Sequence, residues 1–594
     1  MFCGLRLNYK FASVKLQLHS KWNIPFVNFK KEKIELTYLI KFERMKKLSL
    51  FAVLFMLIQV AFAGGILTNT NQSAQFIRMM SRNASTDIDA VYFNPAGLIK
   101  LQDGWHFAFY SQTIFQEKTV DSEFLLLNDG HYVGKVTVPV FPTAFAVYKK
   151  ENWAFSLGFG PNAGGGSADF DRGLPSFEIP ITKIVPGLAG LSQIDPSLAV
   201  SGYDANLSFN GRSVFWGIQL GATYKINNVL SVYGGVRYLP SKNVYEGSIR
   251  NIQLKVGEQY FSAQEWLGGT ASTVGGLGDQ MQMLADMPQT LSPYLDAAGG
   301  YILSQLEGAG QITTEMRAGI EAGLGLMGLP QAQVDMMTLN QINGAYVQAS
   351  PQFQGQATTL KGTSATLNQT AGQMGDKEVK TTQTGAGFTP MIGVHISPTE
   401  NLDIALKYEV KTALKLTNDT EVDDMGLFPD GAESRNDVPA VLGVGIGYKP
   451  ANWLETQFSY TGYFNKGVDW GYNTRYLATG TMVKREIDKN GYELGLGLQF
   501  NVNNKFSFSV GSLYGDMGVA DNYQSDFSYS NPSFTIGGGV MWKITNQLKL
   551  DAGVSNSYYK DQTITFTDPD FGNYQETLGK TTLTFALGLS YSIF

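Results

Sequence analysis

Alternating apolar and polar residues are the dominant pattern of the chain after residue 64. Every second residue from Leu583 to Ile593 is apolar or aromatic, whereas the residues between them are small or polar. This period of two predicts β-strands with one apolar and one polar face. The same alternation occurs at 402–409 and 492–500. The chain is therefore predicted to be mainly β-structure.

The spacing of turns predicts the number of strands. Six short polar turns lie at 149–152, 226–229, 397–401, 449–452, 501–504 and 544–547. Seven longer connections lie at 118–135, 161–210, 258–382, 417–436, 467–486, 516–532 and 561–576. Thirteen connections join fourteen strands, and short turns that alternate with long loops are typical of bacterial outer-membrane barrels. Residues 105–594 are thus predicted to form an all-β fold, a 14-stranded antiparallel transmembrane β-barrel.

A soluble β-sandwich would also alternate, so the position of the aromatic residues matters. They gather at the ends of the apolar faces, as the interfacial girdles of a membrane barrel do. Composition points the same way, because charged residues are 16% of the chain and 66 of its 594 residues are glycine. We therefore favour the membrane barrel over the sandwich.

Residues 45–63 have the three parts of a secretory signal peptide. The basic start Met45-Lys46-Lys47 precedes an apolar run and the small-residue site Ala61-Phe62-Ala63. We expect cleavage between Ala63 and Gly64. Residues 1–44 precede the signal and are interpreted as a spurious upstream extension.

Charge, cysteine and histidine exclude several kinds of function. The whole chain has a net charge of −6, and the mature part is more acidic because residues 1–63 are basic, which argues against nucleic-acid binding. Cys3 is the only cysteine and lies before the signal. The histidines, which lack the spacing of a metal site, are His19, His106, His131 and His395. We expect no metal and no cofactor.

Residues 64–104 precede the first strand and do not alternate. The segment 72–80 is weakly helical, and Asn94-Pro95-Ala96 begins a turn. Since fourteen strands enclose a wide lumen, we interpret this segment as an N-terminal hatch that plugs it.

The hatch carries residues that resemble a known family. The mature start Gly64-Gly65, the stretch from Asp87 to Leu98 and the count of fourteen strands resemble the FadL/TodX family of outer-membrane transporters of long-chain fatty acids and other hydrophobic compounds. The resemblance implies a location in the Gram-negative outer membrane. It also implies that Asn94, Pro95 and Ala96 are the hatch motif. The alternative is an ordinary Asn-Pro turn.

A glycine-rich segment ends the predicted third strand. It contains Pro161, Gly164, Gly165 and Gly166, and such residues interrupt strand pairing. The resemblance implies a kink that opens the barrel wall laterally at these positions. A glycine-rich surface loop is the alternative.

The connection 258–382 predicts helices rather than strands. Leu277, Met281 and Leu284 recur at helical spacing, and so do Leu295, Ala298 and the apolar residues that follow them. We expect a helical extracellular insertion. It would either collect apolar ligands on a methionine-lined surface or form a packed cap, and the two roles are compatible.

Charged residues are predicted on the lumen faces of several strands. A carboxylate ligand would favour Arg237 or Lys407, because a desolvated head group needs a cationic partner. Glu409, Glu455 and Glu493 share these faces. The alternative, which we favour, is an internal salt-bridge network between barrel and hatch.

The predicted function is passive transport of hydrophobic small molecules such as long-chain fatty acids, with possible lateral exit. The alternative is a barrel that acts as a partner in protein secretion or surface anchoring. An enzyme is not favoured, because His106 and His395 have no evident catalytic partner, and a plain porin would lack a plug. Expected partners are outer-membrane lipid, a hydrophobic ligand and the barrel-assembly machinery, with the protein as a monomer.

Overall fold

A computed structural model describes residues 68–470, 474–476, 482–484, 487, 489–526 and 528–594. The predicted signal peptide, the cleavage site and the upstream extension lie outside these residues. Among the described residues, fourteen strands form the barrel wall. They are β1 (Gly104–Ser122), β2 (His131–Lys150), β3 (Trp153–Phe170), β4 (Val200–Lys225), β5 (Leu230–Val256), β6 (Lys377–Thr399), β7 (Leu402–Glu409), β8 (Ala440–Ala451), β9 (Leu454–Phe464), β10 (Gly491–Asn501), β11 (Phe506–Asp516), β12 (Ser533–Lys543), β13 (Leu548–Tyr559) and β14 (Gly572–Ile593).

The barrel is closed, and every neighbouring pair of strands is antiparallel. Consecutive strands pair along the chain, and β14 returns to β1 with a continuous register from Trp105 opposite Ile593 to Ser122 opposite Glu576. Closure pairs the backbone groups that an open edge would leave unsatisfied in hydrocarbon. The predicted fold of fourteen antiparallel strands is confirmed.

Large apolar side chains cover the outside of the barrel, as the alternation predicts. On β14, Phe585, Leu587 and Leu589 are exposed, whereas Ala586 and Ser590 face inwards and are buried. Four exposed tryptophans lie at the end of the barrel that carries the short turns, which we call the lower, periplasmic end: Trp105, Trp153, Trp453 and Trp542. An apolar belt with an aromatic girdle is the surface of a barrel that spans the bacterial outer membrane.

The barrel wall has a tall and a short side. Strands β1 to β6 and β14 have between 18 and 27 residues, whereas β7 to β13 have between 8 and 12. Short strands extend the upper rim or form small hairpins there: Gln259–Ser262, Lys415–Asp423, Glu433–Arg435, Thr474–Tyr476, Met482–Lys484 and Gln562–Asp568.

Two sets of short helices lie at the ends of the lumen. The hatch contains α1 (Ala74–Met79), α2 (Ala90–Phe93) and a 3-10 helix (Pro95–Lys100). The connection between β3 and β4 contains α3 (Pro175–Thr182) and α4 (Ile184–Gly187), followed by 3-10 turns at Ala189–Gln193 and Pro196–Leu198. A further 3-10 turn occurs at Asp521–Tyr523. In the described part of the chain, the helices fall short of the length and apolarity that crossing a membrane requires.

The insertion between β5 and β6 is helical. Its helices are α5 (Ala263–Ala285), α6 (Met287–Ala298), α7 (Leu303–Gly308), α8 (Thr314–Leu326), α9 (Gln331–Val334) and α10 (Leu339–Gln373). Its distal part has a core of its own, in which Leu291, Ile342 and Tyr346 are fully buried. Its base packs on the upper parts of β4 and β5 and on α4. The insertion is thus a packed helical unit that rises from the tall side of the rim.

Candidate functional site

The hatch fills the lower lumen, and glycines in the wall make room for its backbone. A Cβ atom at Gly511 would lie 1.9 Å from the carbonyl oxygen of Met79, and one at Gly537 would lie 2.3 Å from that of Ile77. Only glycine permits such a close approach of two backbones. The lumen-facing glycines of β11 and β12 therefore seat α1 against the wall.

Ion pairs tie the hatch to itself and to the wall. Arg82 donates two hydrogen bonds to Asp89, at 2.7 and 2.8 Å, and both side chains are buried within the hatch. Arg78 pairs with Asp551 of β13 at 3.0 Å, and Asp87 pairs with Lys549 of the same strand. Burial alone would raise the pKa of the Asp87 carboxyl, but the Lys549 ammonium and then Arg82 hold it well below its usual range.

The Asn94-Pro95-Ala96 motif binds the hatch to three strands of the wall. The Asn94 side chain accepts a hydrogen bond from the Ala96 amide at 3.3 Å and donates one to the carbonyl of Val394 on β6 at 2.9 Å. The carbonyl oxygens of Pro95 and Ala96 accept hydrogen bonds from hydroxyl groups of β4 and β5, both below 3.0 Å. Asn94 also caps the 3-10 helix that follows. The motif is thus an anchor point between hatch and barrel.

Arg237 and Lys407 are both paired with Glu409. Arg237 donates to the two carboxylate oxygens at 2.7 and 3.2 Å, and Lys407 donates at 2.7 Å. Lys407 also donates to the carbonyl oxygen of Tyr92 in the hatch at 2.5 Å, and both cations lie 5.0 Å from the Tyr92 ring. This arrangement is the internal network described as the alternative above. Ligand binding by these two cations remains a prediction.

The wall is interrupted between β2 and β3. The two strands pair from Gly134 to Val136 and again from Ala144 to Lys150 of β2, but 137–143 of β2 and 160–167 of β3 are not paired with each other. We call this gap the wall window. Pro139, Pro142 and Pro161 lie in it and have no N–H to donate. On the other side, β3 bonds to β4 through two bulges, after Pro161 and after Gly164.

The first described residues of the hatch lie in the wall window. Thr68 forms a bridge with Ala163, and the Asn69 amide donates to the carbonyl of Asn162 at 2.8 Å. Side chains of Asn69 and Gln72 donate to the carbonyl of Pro161 at 3.2 and 2.8 Å. The hatch therefore satisfies backbone groups that a paired strand would otherwise satisfy.

A cavity of about 380 Å³ lies above the hatch and reaches the wall window. We call it the lumen cavity. Its lining is mixed. The apolar side chains include Phe76, Ile77, Met80, Ile114, Val136, Val138, Phe141, Phe170, Phe209, Phe215 and Leu513, and the polar and charged ones include Asn69, Asn71, Gln116, Arg212 and Glu493. Above it, apolar residues of α3 and of the rim, among them Phe177 and Phe428, pack into a cap. The cavity thus offers a space with many apolar side chains that is bounded by hatch, cap and window.

Two lysines line the upper part of the lumen cavity, and sequence reasoning missed them. Lys118 of β1 lies opposite Lys580 of β14 in the strand register. Each ammonium lies near an aromatic ring, at 5.2 Å from Tyr529 for Lys118 and 4.5 Å from Tyr559 for Lys580. Within the described residues, neither lysine forms an ion pair or hydrogen bond with a carboxylate. Two neighbouring cations beside an apolar cavity favour an anionic head group.

The histidines that lacked an evident partner in the sequence have partners in the structure. His395 bonds through Nε2 to Asp403 at 2.9 Å, and Ser397 donates to the same carboxylate oxygen at 2.7 Å. The aspartate lies between serine and histidine here, whereas a catalytic triad places the histidine in the middle. His106 bonds to Ser592 at 2.8 Å. In the described segments, no three His, Cys, Asp or Glu residues are grouped to hold a metal ion.

Comparison with known proteins bears on the fold. No protein-family profile matches the chain, and no curated protein matches its sequence. A solved FadL homologue from Pseudomonas aeruginosa aligns with a TM-score of 0.51 and 13% identity, over 90% of this chain and 100% of that one. The toluene transporters TodX from Pseudomonas putida and TbuX from Ralstonia pickettii align with TM-scores of 0.44 and 0.42 at 12% and 14% identity, over 86% of this chain and 95% and 94% of theirs. The chain therefore shares the overall fold of the Pseudomonas aeruginosa FadL homologue, and the resemblance drawn from the sequence is confirmed at the level of the fold.

Proposed function

We propose that this protein is a FadL/TodX-type channel of the Gram-negative outer membrane that takes up hydrophobic small molecules without an energy source. The observation that carries the proposal is the lumen cavity, which lies between a seated hatch and an unpaired stretch of the wall. An apolar solute that leaves water for such a cavity gains hydrophobic free energy. It then needs no water-filled passage, and the transport needs no chemical reaction.

The two lysines of the cavity favour long-chain fatty acids as substrates. Lys580 is buried and Lys118 is half-buried. Removing an ammonium from water without a charged partner is costly, and a carboxylate would form charge-assisted hydrogen bonds with both lysines. The apolar lining below them, towards the wall window, suits the hydrocarbon chain. A neutral hydrocarbon would fill the same space but would leave both ammonium groups without an anion.

The position of the wall window supports lateral exit. The window opens the lumen cavity towards the lipid, and the segment around Asn69 and Gln72 occupies it through hydrogen bonds to β3. We infer that a bound ligand displaces this segment and leaves between β2 and β3. The Asn94-Pro95-Ala96 anchor and the Arg237–Glu409–Lys407 network hold the remainder of the hatch in place.

The substrate proposal is tested by removing the two ammonium groups. In the double variant K118M/K580M, binding of a labelled long-chain fatty acid to purified protein should weaken about tenfold or more, because two charge-assisted hydrogen bonds are lost. Binding of a long-chain alkane should change little. The matched control is Lys135→Met, since Lys135 is an exposed lysine on β2.

Three outcomes separate the parts of this proposal. Equal loss of fatty acid and alkane binding in K118M/K580M would contradict the head-group role but keep the cavity as the binding site. Unchanged fatty acid binding would place the carboxylate elsewhere, with Arg237 and Lys407 as the next candidates. If cells that carry the wild-type protein take up neither probe faster than cells that lack it, the proposed transport function is wrong.

One observation favours the second candidate function, a partner in secretion or anchoring. The helical insertion from Ala263 to Gln373 has its own core, and exposes Leu326 and Met336 far from the lumen cavity. Deleting the insertion tests this role. A secretion or anchoring partner would lose its function, whereas a channel would retain fatty acid uptake.

A further inference from the structure

A second cavity lies on the lipid-facing side of the barrel, directly below the wall window. Its floor consists of Ala144 and Ala146 of β2, whose small side chains leave a depression of about 400 Å³. Its sides are larger apolar side chains of the neighbouring strands: Phe107, Phe109, Leu157, Phe159, Leu589 and Tyr591. We call it the outer groove.

The outer groove continues the path of the lumen cavity through the wall. Ala144 opposite Phe159 is the first pair of β2 and β3 below the wall window, and both residues line the outer groove. Val138 and Phe141, within the window, line the lumen cavity on the inside. Lumen cavity, window and outer groove therefore follow one another down β2 towards the periplasmic end.

Two buried polar atoms without partners lie at the lower edge of the window. Thr143 and Asn162 are 0% and 2% exposed, and the Thr143 hydroxyl and the Asn162 side-chain oxygen have no hydrogen-bond partner among the described residues. Buried polar atoms are normally bonded, because leaving them unpaired costs free energy. They point to a polar group that passes the window. The Thr143 hydroxyl can donate to a carboxyl oxygen, and the Asn162 oxygen can accept from the O–H of a carboxyl group that is protonated during the passage.

We propose that the outer groove binds the hydrocarbon chain of the leaving ligand, an unbranched acyl chain, while its head group is still in the window beside Thr143 and Asn162. This inference rests on the proposed function. Lipid tails are as apolar as the groove, so the hydrophobic effect does not favour any occupant there. A chain whose head group is held in the window has a high effective concentration at the groove, which a free bilayer lipid lacks.

The binding role predicts an order of events. The chain leaves first and contacts Ala144 and Ala146, and the carboxylate follows past Thr143. The contacts in the groove are dispersion contacts, individually weak and numerous. The groove leads to the periplasmic girdle at Trp105 and Tyr148, so the ligand is delivered to the periplasmic leaflet.

The test fills the groove without touching the lumen. In the variant A144L/A146L, leucine side chains occupy the groove on the lipid-facing surface, where leucine is a normal residue. The matched control is Ala552→Leu, because Ala552 lies on the outer face of β13 and does not line the groove. Fatty acid binding to purified protein should equal that of the wild type in both variants. Transfer of the fatty acid into the periplasmic leaflet of reconstituted vesicles should slow roughly threefold to tenfold in A144L/A146L only.

Crosslinking in the wild-type protein gives an independent measurement. A fatty acid with a diazirine at its methyl end should label Phe107, Phe109 or Phe159 when irradiated during transfer. Normal transfer by A144L/A146L, or labels confined to the lumen cavity, would overturn the outer groove as a ligand site while leaving transport intact. Absent transfer by the wild-type protein would instead contradict the proposed function. If A144L/A146L fails to assemble, the crosslinking result alone decides.

Discussion

The hydrogen bonds of the hatch motif join the hatch to strands that are distant in the chain, so the loss of one bond weakens a long-range contact. Asn94 lies about 300 residues before Val394, whose carbonyl it bonds. Pro95 restricts the backbone of the turn and so reduces the entropy that docking costs. The motif thus positions the hatch edge against β4, β5 and β6.

We predict that N94A/P95A impairs uptake of a labelled long-chain fatty acid without lowering barrel abundance. The loss of two side-chain hydrogen bonds, one of them to the half-buried carbonyl of Val394, destabilises hatch docking by about 1–3 kcal/mol. Protease access to the hatch in outer-membrane preparations measures the docking directly. Normal uptake together with unchanged protease access would show that the motif is an ordinary turn.

At the residue scale, sequence reasoning placed side chains on the correct face but not with the correct neighbours. The lumen positions of Arg237 and Lys407 follow from alternation, and both side chains are buried inside the barrel. That both pair with Glu409 depends on the register between three strands. Lys118 and Lys580 are 462 residues apart, and only the closing register of β14 on β1 brings them together.

The sequence predicts which strands and turns exist better than it predicts the residues at which the strands begin and end. The six short turns are predicted by their polar residues, with asparagine in every turn and proline in two, and all six connect strands in the structure. The connection predicted at 161–210 is shorter, because β3 continues through its bulges to Phe170. Period-two alternation breaks at a bulge, so a pattern that ends at Pro161 does not show that the strand ends there.

Proline and glycine residues of β3 interrupt its pairing with β2, so substitution of these residues is expected to close the wall window. In a variant with Pro161, Gly164, Gly165 and Gly166 changed to valine or threonine, β3 should straighten and pair with β2. Gly164 has a φ of +66°, which L side chains rarely adopt, so substitution opposes the bulge. We expect fatty acid binding to persist and release into vesicles to fall severalfold.

The matched control for the straightened strand is Gly234→Val, since a Cβ atom at Gly234 meets no other atom within 4 Å. The control should bind and release fatty acid as the wild type does. Normal release by the straightened variant would contradict lateral exit between β2 and β3.

The whole molecule should behave as a closed barrel with a mature N-terminus at Gly64. Closed barrels unfold slowly, so boiled and unboiled samples should migrate differently on gels. N-terminal sequencing of outer-membrane material should begin at Gly64. Identical migration would count against the barrel, and a sequence beginning at Met1 would contradict both the signal peptide and the upstream extension.

The hatch makes close backbone contacts with strands from the second half of the barrel. This predicts the order in which hatch and barrel assemble. Met79 approaches Gly511, 432 residues later in the chain, and Ile77 approaches Gly537, 460 residues later, so these hatch contacts form only after those strands have been made. Contacts of such long separation form late. The seam between β14 and β1 can enclose the hatch only once those strands exist. We therefore expect β14 to pair with β1 only after the hatch occupies the lumen, so that no open pore forms in the membrane during assembly.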